Sequence, residues 1–199
     1  MPKLIDHEER RKQIAEATWD VILEQGMEGA TVRNIAKKAG LSLGALRHYF
    51  STQEELLVYT MKLVKEKATA RINKISIQDL HPKEKVLKII LEIVPINDET
   101  MAEMKVWFAF TAYFRHKKNI FDAQHDGIFI AVQKLVDYLD QMNLLKKNLD
   151  IEIEIEKLYA LIDGLALHAM LEPQRVNKER IVRVLVHHLN SICVNESDR

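Results

Sequence analysis

Residues 31–50 read TVRNIAKKAGLSLGALRHYF, and the spacing inside this stretch decides the fold. Ala36, Gly40 and Leu46 fall where two steeply crossing helices need a small contact residue, a turn residue with positive φ and a buried anchor. Thr31 and Ser42 each precede one of the two helices, where a hydroxyl oxygen can accept from backbone N–H groups that a new helix leaves unpaired. Val32, Ile35, Ala36 and Ala39 make an inward stripe at helical spacing. No acidic residue stands between Gly29 and Gln53, whereas Arg33, Lys37, Lys38 and Arg47 do, so the stretch draws a phosphate backbone. This is the pattern of a helix-turn-helix. The same helix, glycine turn and helix also occur in all-α cores that bind nothing, so the motif alone leaves both readings open.

Outward from it, Ile14, Ala17, Thr18, Val21 and Ile22 recur on one face of a helix over about residues 9–25, which Gly26 ends. On the other side Thr52 and Glu55 form a capping box that starts a long helix through Leu56, Tyr59, Leu63 and Val64 to about Ile75. The run from Arg10 to Met61, ending its second short helix in the pair Tyr49-Phe50, resembles the N-terminal domain of TetR-family transcriptional regulators. That resemblance covers about the first third of the chain. It implies a DNA-reading head, and two departures stand out: Arg47 replaces an aromatic found in many relatives, and Gln53 replaces a lysine.

The composition fits long helices. There are only 6 Gly and 4 Pro among 199 residues, with 47% hydrophobic residues, enough to bury a substantial core. The 29 basic and 29 acidic residues balance, so any attraction to nucleic acid comes from uneven distribution. Lys3 and the Arg10-Arg11-Lys12 cluster can serve as a basic arm or as a solvated helix start, since Asp6, Glu8 and Glu9 lie among them. A lone Cys193 forms no intramolecular disulfide, and neither a signal-type apolar segment nor a bilayer-length run is present. The expectation is a cytoplasmic protein without a membrane partner.

In the C-terminal part, Pro82 starts a helix that stops before Pro95, and Asn97 or Asp98 caps the next, which runs to about His116. That helix is aromatic on several sides, with Trp107, Phe108, Phe110, Tyr113 and Phe114. A long helix is expected from about Ile120 to Leu145, burying Phe121, Ile128, Val132, Leu135, Leu139 and Met142. Asp150 to Glu156, DIEIEIE, alternates like a strand, but Ile151, Ile155, Leu158, Ile162 and Leu165 also keep helical spacing behind a good cap, which argues for a helix. Asn177 caps the last helix, striped by Ile181, Val184, Leu185, Leu189 and Ile192. These last two helices carry more apolar surface than one inner face can cover, which predicts pairing with a second copy.

The sequence therefore predicts an all-α homodimer of about nine helices per chain: a helix-turn-helix domain over residues 1–51, and an effector-binding and dimerisation domain over 52–199, with 52–75 as the linking helix. TetR-like regulators dimerise through their last two helices, and here Leu161, Leu165, His168, Val184, Leu185, His188 and Leu189 are the expected interface. Two heads would read a palindromic operator in double-stranded DNA. Ser42, Leu43, Gly44, Ala45, Arg47 and His48 are expected on the groove-facing side. Thr31, Tyr49 and Thr52 offer hydroxyls to phosphate, and Arg33 adds charge. Arg47 can pair bidentately with guanine or hold phosphate.

Met104 to His116 and Leu158 to Leu171 resemble the regulatory domain of BetI-type TetR repressors, which respond to choline. Ala166 stands where that motif has tryptophan. The resemblance implies a small-molecule effector, for which Trp107, Phe110, Tyr113, Phe114, Phe129 and Asp163 are the expected ligand-binding residues, able to offer cation–π contacts and a countercharge. Aromatics at helical spacing also serve as plain core. Neither a catalytic residue set nor a cofactor or metal motif is recognisable, and His187 and His188 diverge on one helix. The expected function is a repressor released from its operator by an effector. The alternative is a small-molecule or lipid-binding helical protein, or an enzyme, without a DNA-binding role.

Overall fold

A computed structural model of the protein describes residues 7–114 and 127–194. Among them are nine α-helices and no strand beyond one isolated bridge. The described residues within Met1–Lys67 and Lys105–Asp122 form one compact unit, and those within Ala68–Met104 and Ala123–Arg199 form a second.

The first unit contains α1 (His7–Gly29), α2 (Val32–Lys38), α3 (Leu43–Tyr49) and the first part of α4 (Gln53–Ser76). Gly26 interrupts α1 with φ 70° and ψ −178°, so the regular helix stops where the glycine was expected to stop it. Ile14, Val21 and Ile22 of α1 are buried with Ile35, Ala36, Leu46 and Phe50, and with Leu56, Leu57 and Met61 of α4. Three residues of α6 (Asp98–Phe114), namely Val106, Phe110 and Phe114, complete the same cluster. The start of α4 and the end of α6 thus supply apolar side chains to the core of this compact unit.

The second unit holds α5 (Pro82–Leu91), α7 (Gly127–Gln141), α8 (Ile151–Leu171) and α9 (Lys178–Ile192), together with the end of α4 and the start of α6. Asp150 accepts from the Ile153 N–H at 3.2 Å and Asn177 from the Arg180 N–H at 3.0 Å, so both expected caps start their helices. DIEIEIE is helical. Leu158, Ile162, Leu165 and Ala169 of α8 pack with Ile181, Leu185, Leu189 and Ile192 of α9 and with Val132, Val136 and Leu139 of α7.

Two helix ends differ from expectation. The helix expected to run from about Ile120 to Leu145 stops at Gln141: Asn143 takes φ 54°, the Leu144 N–H donates to the Leu139 carbonyl at 3.0 Å, and the Asn143 N–H donates to the Asp140 carbonyl at 2.8 Å. That is a Schellman motif with asparagine in the left-handed position usually given to glycine. It leaves Met142 exposed and turns Leu144 and Leu145 inward, where the Val194 N–H reaches the Leu144 carbonyl at 2.8 Å and the Lys146 N–H reaches Ile192 at 2.9 Å. The expected start of α7 near Ile120, with Phe121, lies outside the described residues. The α5 helix closes three residues early, its last turn tightened by Glu92 and Ile93 N–H groups donating to Ile89 and Ile90.

Candidate nucleic-acid interface

The turn between α2 and α3 is built by backbone hydrogen bonds that only a positive φ permits. Gly40 at φ 65° lets the Leu41 N–H donate to Ala36 at 2.8 Å and its own N–H to Lys37 at 3.2 Å. Thr31 accepts from the Asn34 N–H at 3.2 Å and Ser42 from the Ala45 N–H at 3.1 Å, and each cap contributes about 1 kcal/mol. A capping hydroxyl uses its oxygen as acceptor and keeps its hydrogen to donate. Both residues are exposed, so both can donate to phosphate oxygens.

Leu46 and Phe50 anchor α3 at 1% exposure each, which turns the opposite face outward. On that face Ser42, Leu43, Gly44, Arg47 and His48 are exposed, while Ala45 and Tyr49 are half-buried. A Cβ built on Gly44 meets no atom within 4 Å, so the backbone there lies open to a close approach. Thr52 is exposed and accepts from the Glu55 N–H at 3.0 Å. The capping box is displaced by one residue: the Glu55 carboxylate accepts from the N–H and hydroxyl of Ser51, both at 2.9 Å, and these bonds, the backbone one foremost, hold its carboxyl below the ordinary value of 4.5.

The charge pattern needs revision in three places. Lys38 pairs with Glu24 and Asp20 of α1, which offset its charge, and it is exposed together with Arg33, Lys37 and Arg47. Arg11 is not a free arm: it donates to the Tyr49 carbonyl at 3.2 Å and to Glu55 at 3.3 Å, and lies 4.3 Å over the Phe50 ring and 4.7 Å over that of Tyr59. One guanidinium thus ties α1 to the end of α3 and the start of α4. Gln53, where the family pattern has lysine, donates to the Ala30 carbonyl at 2.7 Å and fastens α4 to the entry of α2. Beside these, Tyr59 donates to Glu8 at 2.6 Å, and burial together with that bond pushes its hydroxyl up to about 12.

One neighbour of the interface escaped sequence reading. The His7 ring sits 4.9 Å from that of Tyr49 and 6.1 Å from that of His48, across 42 residues of chain from Tyr49. No local pattern announces such a contact.

The expected ligand residues fall into different units. Trp107, Phe110, Tyr113 and Phe114 belong to the first, where Phe110 and Phe114 stack at 4.4 Å inside its core. Phe129 and Asp163 belong to the second. There Phe129 meets Tyr159 edge-on at 5.4 Å, and Asp163 follows Tyr159 by one helical turn. Phe110 and Phe114 serve as core, whereas Trp107 is half-buried and Tyr113 exposed, a division that sequence spacing does not reveal.

Among the expected interface residues, His168 is exposed and Leu161, Val184 and His188 are half-buried, but Leu165, Leu185 and Leu189 are enclosed in the core of the chain itself. The α8 helix has two apolar stripes. The inward one carries Leu158, Ile162, Leu165 and Ala169; the outward one carries Ile153, Ala160, Gly164, Leu167 and Leu171, with Leu171 67% exposed. Burial lowers His188 below the ordinary imidazole value, which keeps it neutral beside that surface.

Among the described residues no helix is long and apolar enough to cross a membrane, and no group of three or more His, Cys, Asp or Glu side chains is placed to hold a metal ion. Cys193 is buried, and burial raises its thiol above the ordinary value.

Comparison with known proteins agrees with the geometry. Residues 14–60 match the model of bacterial regulatory proteins of the tetR family, and residues 82–194 match that of the C-terminal part of BetI-type transcriptional repressors. The chain is 69% identical over 197 residues to the HTH-type transcriptional regulator PksA of Bacillus subtilis (strain 168), covering 99% of this chain and 96% of that protein. It is 33% identical over 198 residues to the HTH-type transcriptional regulator BetI of Escherichia coli (strain K12), covering 95% and 96%. A transcriptional regulator from Rhodococcus sp. Rha1 superimposes with a TM-score of 0.80 at 26% identity, over 92% of this chain and 95% of that one. A regulator from Saccharomonospora viridis, solved in complex with choline, shares the fold with a TM-score of 0.77 at 16% identity, over 94% and 100%.

Proposed function

The chain belongs to the TetR family of DNA-binding transcriptional regulators, and from that premise we propose that it is a cytoplasmic homodimeric repressor released from a palindromic operator by a small-molecule effector. The observation that carries the DNA-reading part is the α2–α3 pair itself: a glycine-turned, doubly capped motif whose outward face offers Arg47, Ser42, Gly44 and Leu43, with no carboxylate of its own. Arg47 is the base-reading candidate, and Leu43 can meet a thymine methyl. Thr31, Arg33, Tyr49 and Thr52 fix the register on phosphates. Functionally, residues 1–51 read DNA and 52–199 respond and pair.

Pairing uses the outward stripe of α8, from Ile153 through Ala160, Gly164 and Leu167 to Leu171, with Leu161 and His168 beside it and Val184 and His188 of α9 completing the patch. The core residues Leu165, Leu185 and Leu189 support it from behind. Two copies of this patch related by a twofold axis bury the exposed leucines of both.

The effector site is the Phe129–Tyr159–Asp163 corner of the second unit. Two aromatic rings and a carboxylate suit an organic cation, a chemistry also suggested by the choline bound to the Saccharomonospora relative. Movement there passes to α4 through Arg71, which binds Glu103 of α6 at 2.6 and 2.9 Å and Glu92 at 2.9 Å, so that α4 carries the displacement towards the DNA-reading helices.

The test is selection of duplexes from a random library on the purified protein. An inverted repeat that the protein binds specifically, and that choline or another organic cation releases, supports the reading. Absence of any selected sequence refutes the DNA-reading part. A selected repeat that no organic cation releases refutes the effector assignment alone.

A further inference from the structure

The α3 helix is anchored in the core at its C-terminal end. Leu46 and the C-cap Phe50 are buried there, whereas Ser42, Leu43 and Gly44, at its start, are exposed. A helix of this length spans about 10 Å, so a tilt of about 10° at the anchored end moves the exposed start by roughly 2 Å. That displacement breaks a hydrogen bond to a base edge. The tilt is set at the joint between α3 and α4, which consists of Phe50, Ser51 and Thr52. Arg11 of α1 spans that joint. Its Nη1 donates at 3.2 Å to the Tyr49 carbonyl, one of the last carbonyls a helix leaves unpaired, and its Nη2 donates at 3.3 Å to Oε1 of Glu55 in the first turn of α4. The other Glu55 oxygen accepts from the N–H and the hydroxyl of Ser51. The guanidinium carbon lies 4.3 Å from the Phe50 ring centre and 4.7 Å from that of Tyr59, with the side chain 22% exposed. One side chain thus grips the end of α3, the joint and the start of α4 together.

We propose that Arg11 is a positioning residue for operator reading: it fixes the tilt of α3 against α4 and touches no DNA itself. The proposal rests on the reading of α2–α3 as the DNA interface and adds to it a residue from outside that pair. Two observations favour this role over a phosphate contact. The terminal nitrogens are directed at a main-chain carbonyl and a carboxylate, and that carboxylate offsets the charge. Two aromatic rings take up the guanidinium besides. Lysine cannot do the same, because an ammonium lacks the planar fork that reaches two acceptors while resting on a ring. Without Arg11 the attraction of Arg33, Lys37 and Arg47 to phosphates persists whatever the sequence, while the contacts to base edges lose their aim. The quantity that depends on Arg11 is therefore discrimination between sequences rather than general affinity for DNA.

The readout is the ratio of two affinities, one for a duplex selected by the full-length protein from a random library and one for an unrelated duplex of equal length. Both are measured by fluorescence anisotropy over a range of salt. Arg11→Met is expected to lower the ratio by about 10- to 100-fold, and Arg11→Lys by at least about threefold, through weaker binding of the selected duplex. For the unrelated duplex, the slope of log affinity against log salt is expected to stay within about 0.5 of wild type, since a phosphate contact contributes about 0.9 per subunit. A residue that only stabilised the fold would lower the melting temperature and the binding-competent fraction, and would leave the ratio for the folded protein unchanged. Circular dichroism and stoichiometric titration report those two quantities, and Arg11→Lys carries the test should Arg11→Met fail to fold. A ratio in Arg11→Lys that falls by less than about threefold overturns the proposal. So does a salt slope that drops by about 0.9 or more per subunit, which would make Arg11 a phosphate contact. If the wild type selects no duplex, the DNA-interface reading fails, and the proposal with it.

Discussion

Replacing Arg71 by methionine tests the proposed relay most directly. The guanidinium is 20% exposed and faces three carboxylates: Glu103 through a two-bonded contact at 2.6 and 2.9 Å, Glu92 at 2.9 Å and Glu99 at 3.1 Å. The Glu103 side chain is 12% exposed and that of Glu99 62% exposed. A charge-assisted bond to a poorly solvated partner contributes about 1.5–3 kcal/mol, whereas an exposed pair contributes about 0–1 kcal/mol. Most of the loss therefore comes from Glu103, with Glu92 adding less and Glu99 almost nothing. Arg71→Met keeps the aliphatic stem but leaves three carboxylates facing one another, and it is expected to cost about 3 kcal/mol. For a chain of this size that lowers the melting temperature by roughly 6–12 °C. The assay is thermal unfolding by circular dichroism on Arg71→Met, Glu103→Met and the double variant. The double variant is expected to recover more than half of the single-variant loss, because it no longer strands the half-enclosed Glu103 carboxylate. Melting of Arg71→Met within about 1 °C of wild type, or strict additivity of the two substitutions, would refute the assignment of Arg71 as the tie between α4 and α6.

Three further outcomes are expected. Arg47→Ala weakens binding to the selected duplex by about 1–3 kcal/mol and relaxes preference at one base pair of each half-site, measured by competition with single-base variants; a uniform loss across sequences would instead assign Arg47 to phosphate. Leu167→Glu combined with Leu171→Glu places charge on the outward stripe of α8, and analytical ultracentrifugation should show monomers at micromolar concentration; a persistent dimer would move the interface elsewhere. Glu55 has a folded-state carboxyl held below 4.5, so its contribution is fully present above the unfolded value and is lost as pH falls through the lower folded value. Acid titration of stability in Glu55→Gln should accordingly be shallower than in wild type, and equal slopes would sink that expectation.

What could be read from sequence was whatever is encoded within a few residues. Thr31, Ser42, Asp150 and Asn177 cap helices because a short polar side chain reaches a backbone N–H three residues on, and each cap was legible for that reason. Helical spacing correctly outweighed the alternating DIEIEIE pattern. What could not be read depends on partners distant in the chain. Lys38 counts as free charge until α1 brings Glu24 beside it, and Arg11 looks like an arm until it stacks on Phe50. Among the α6 aromatics Phe110 and Phe114 are placed in a core by helices distant in the chain, while Tyr113 stays exposed. Periodicity showed more apolar surface on α8 than one face can cover, but the division between buried Leu165 and exposed Leu167 and Leu171 depends on how the helix is rolled against its neighbours. Asn143 ended α7 without a glycine to mark the stop.

The bridge between Leu145 and Cys193 has a consequence for how a signal can travel. The end of α9 is stitched to the turn after α7 by the Lys146 and Val194 N–H groups, and the Lys146 ammonium adds a bond to the Ser191 carbonyl at 2.8 Å. A helix clamped in this way resists sliding along its own axis or rolling about it. α9 then behaves as an anvil: it stays fixed while other helices are displaced against it. Pairing through α8 and α9 would join two such anvils back to back, giving the dimer a rigid reference frame. The reading heads could then be repositioned without loosening the seam, which would let release from DNA and dissociation of the dimer remain separate events.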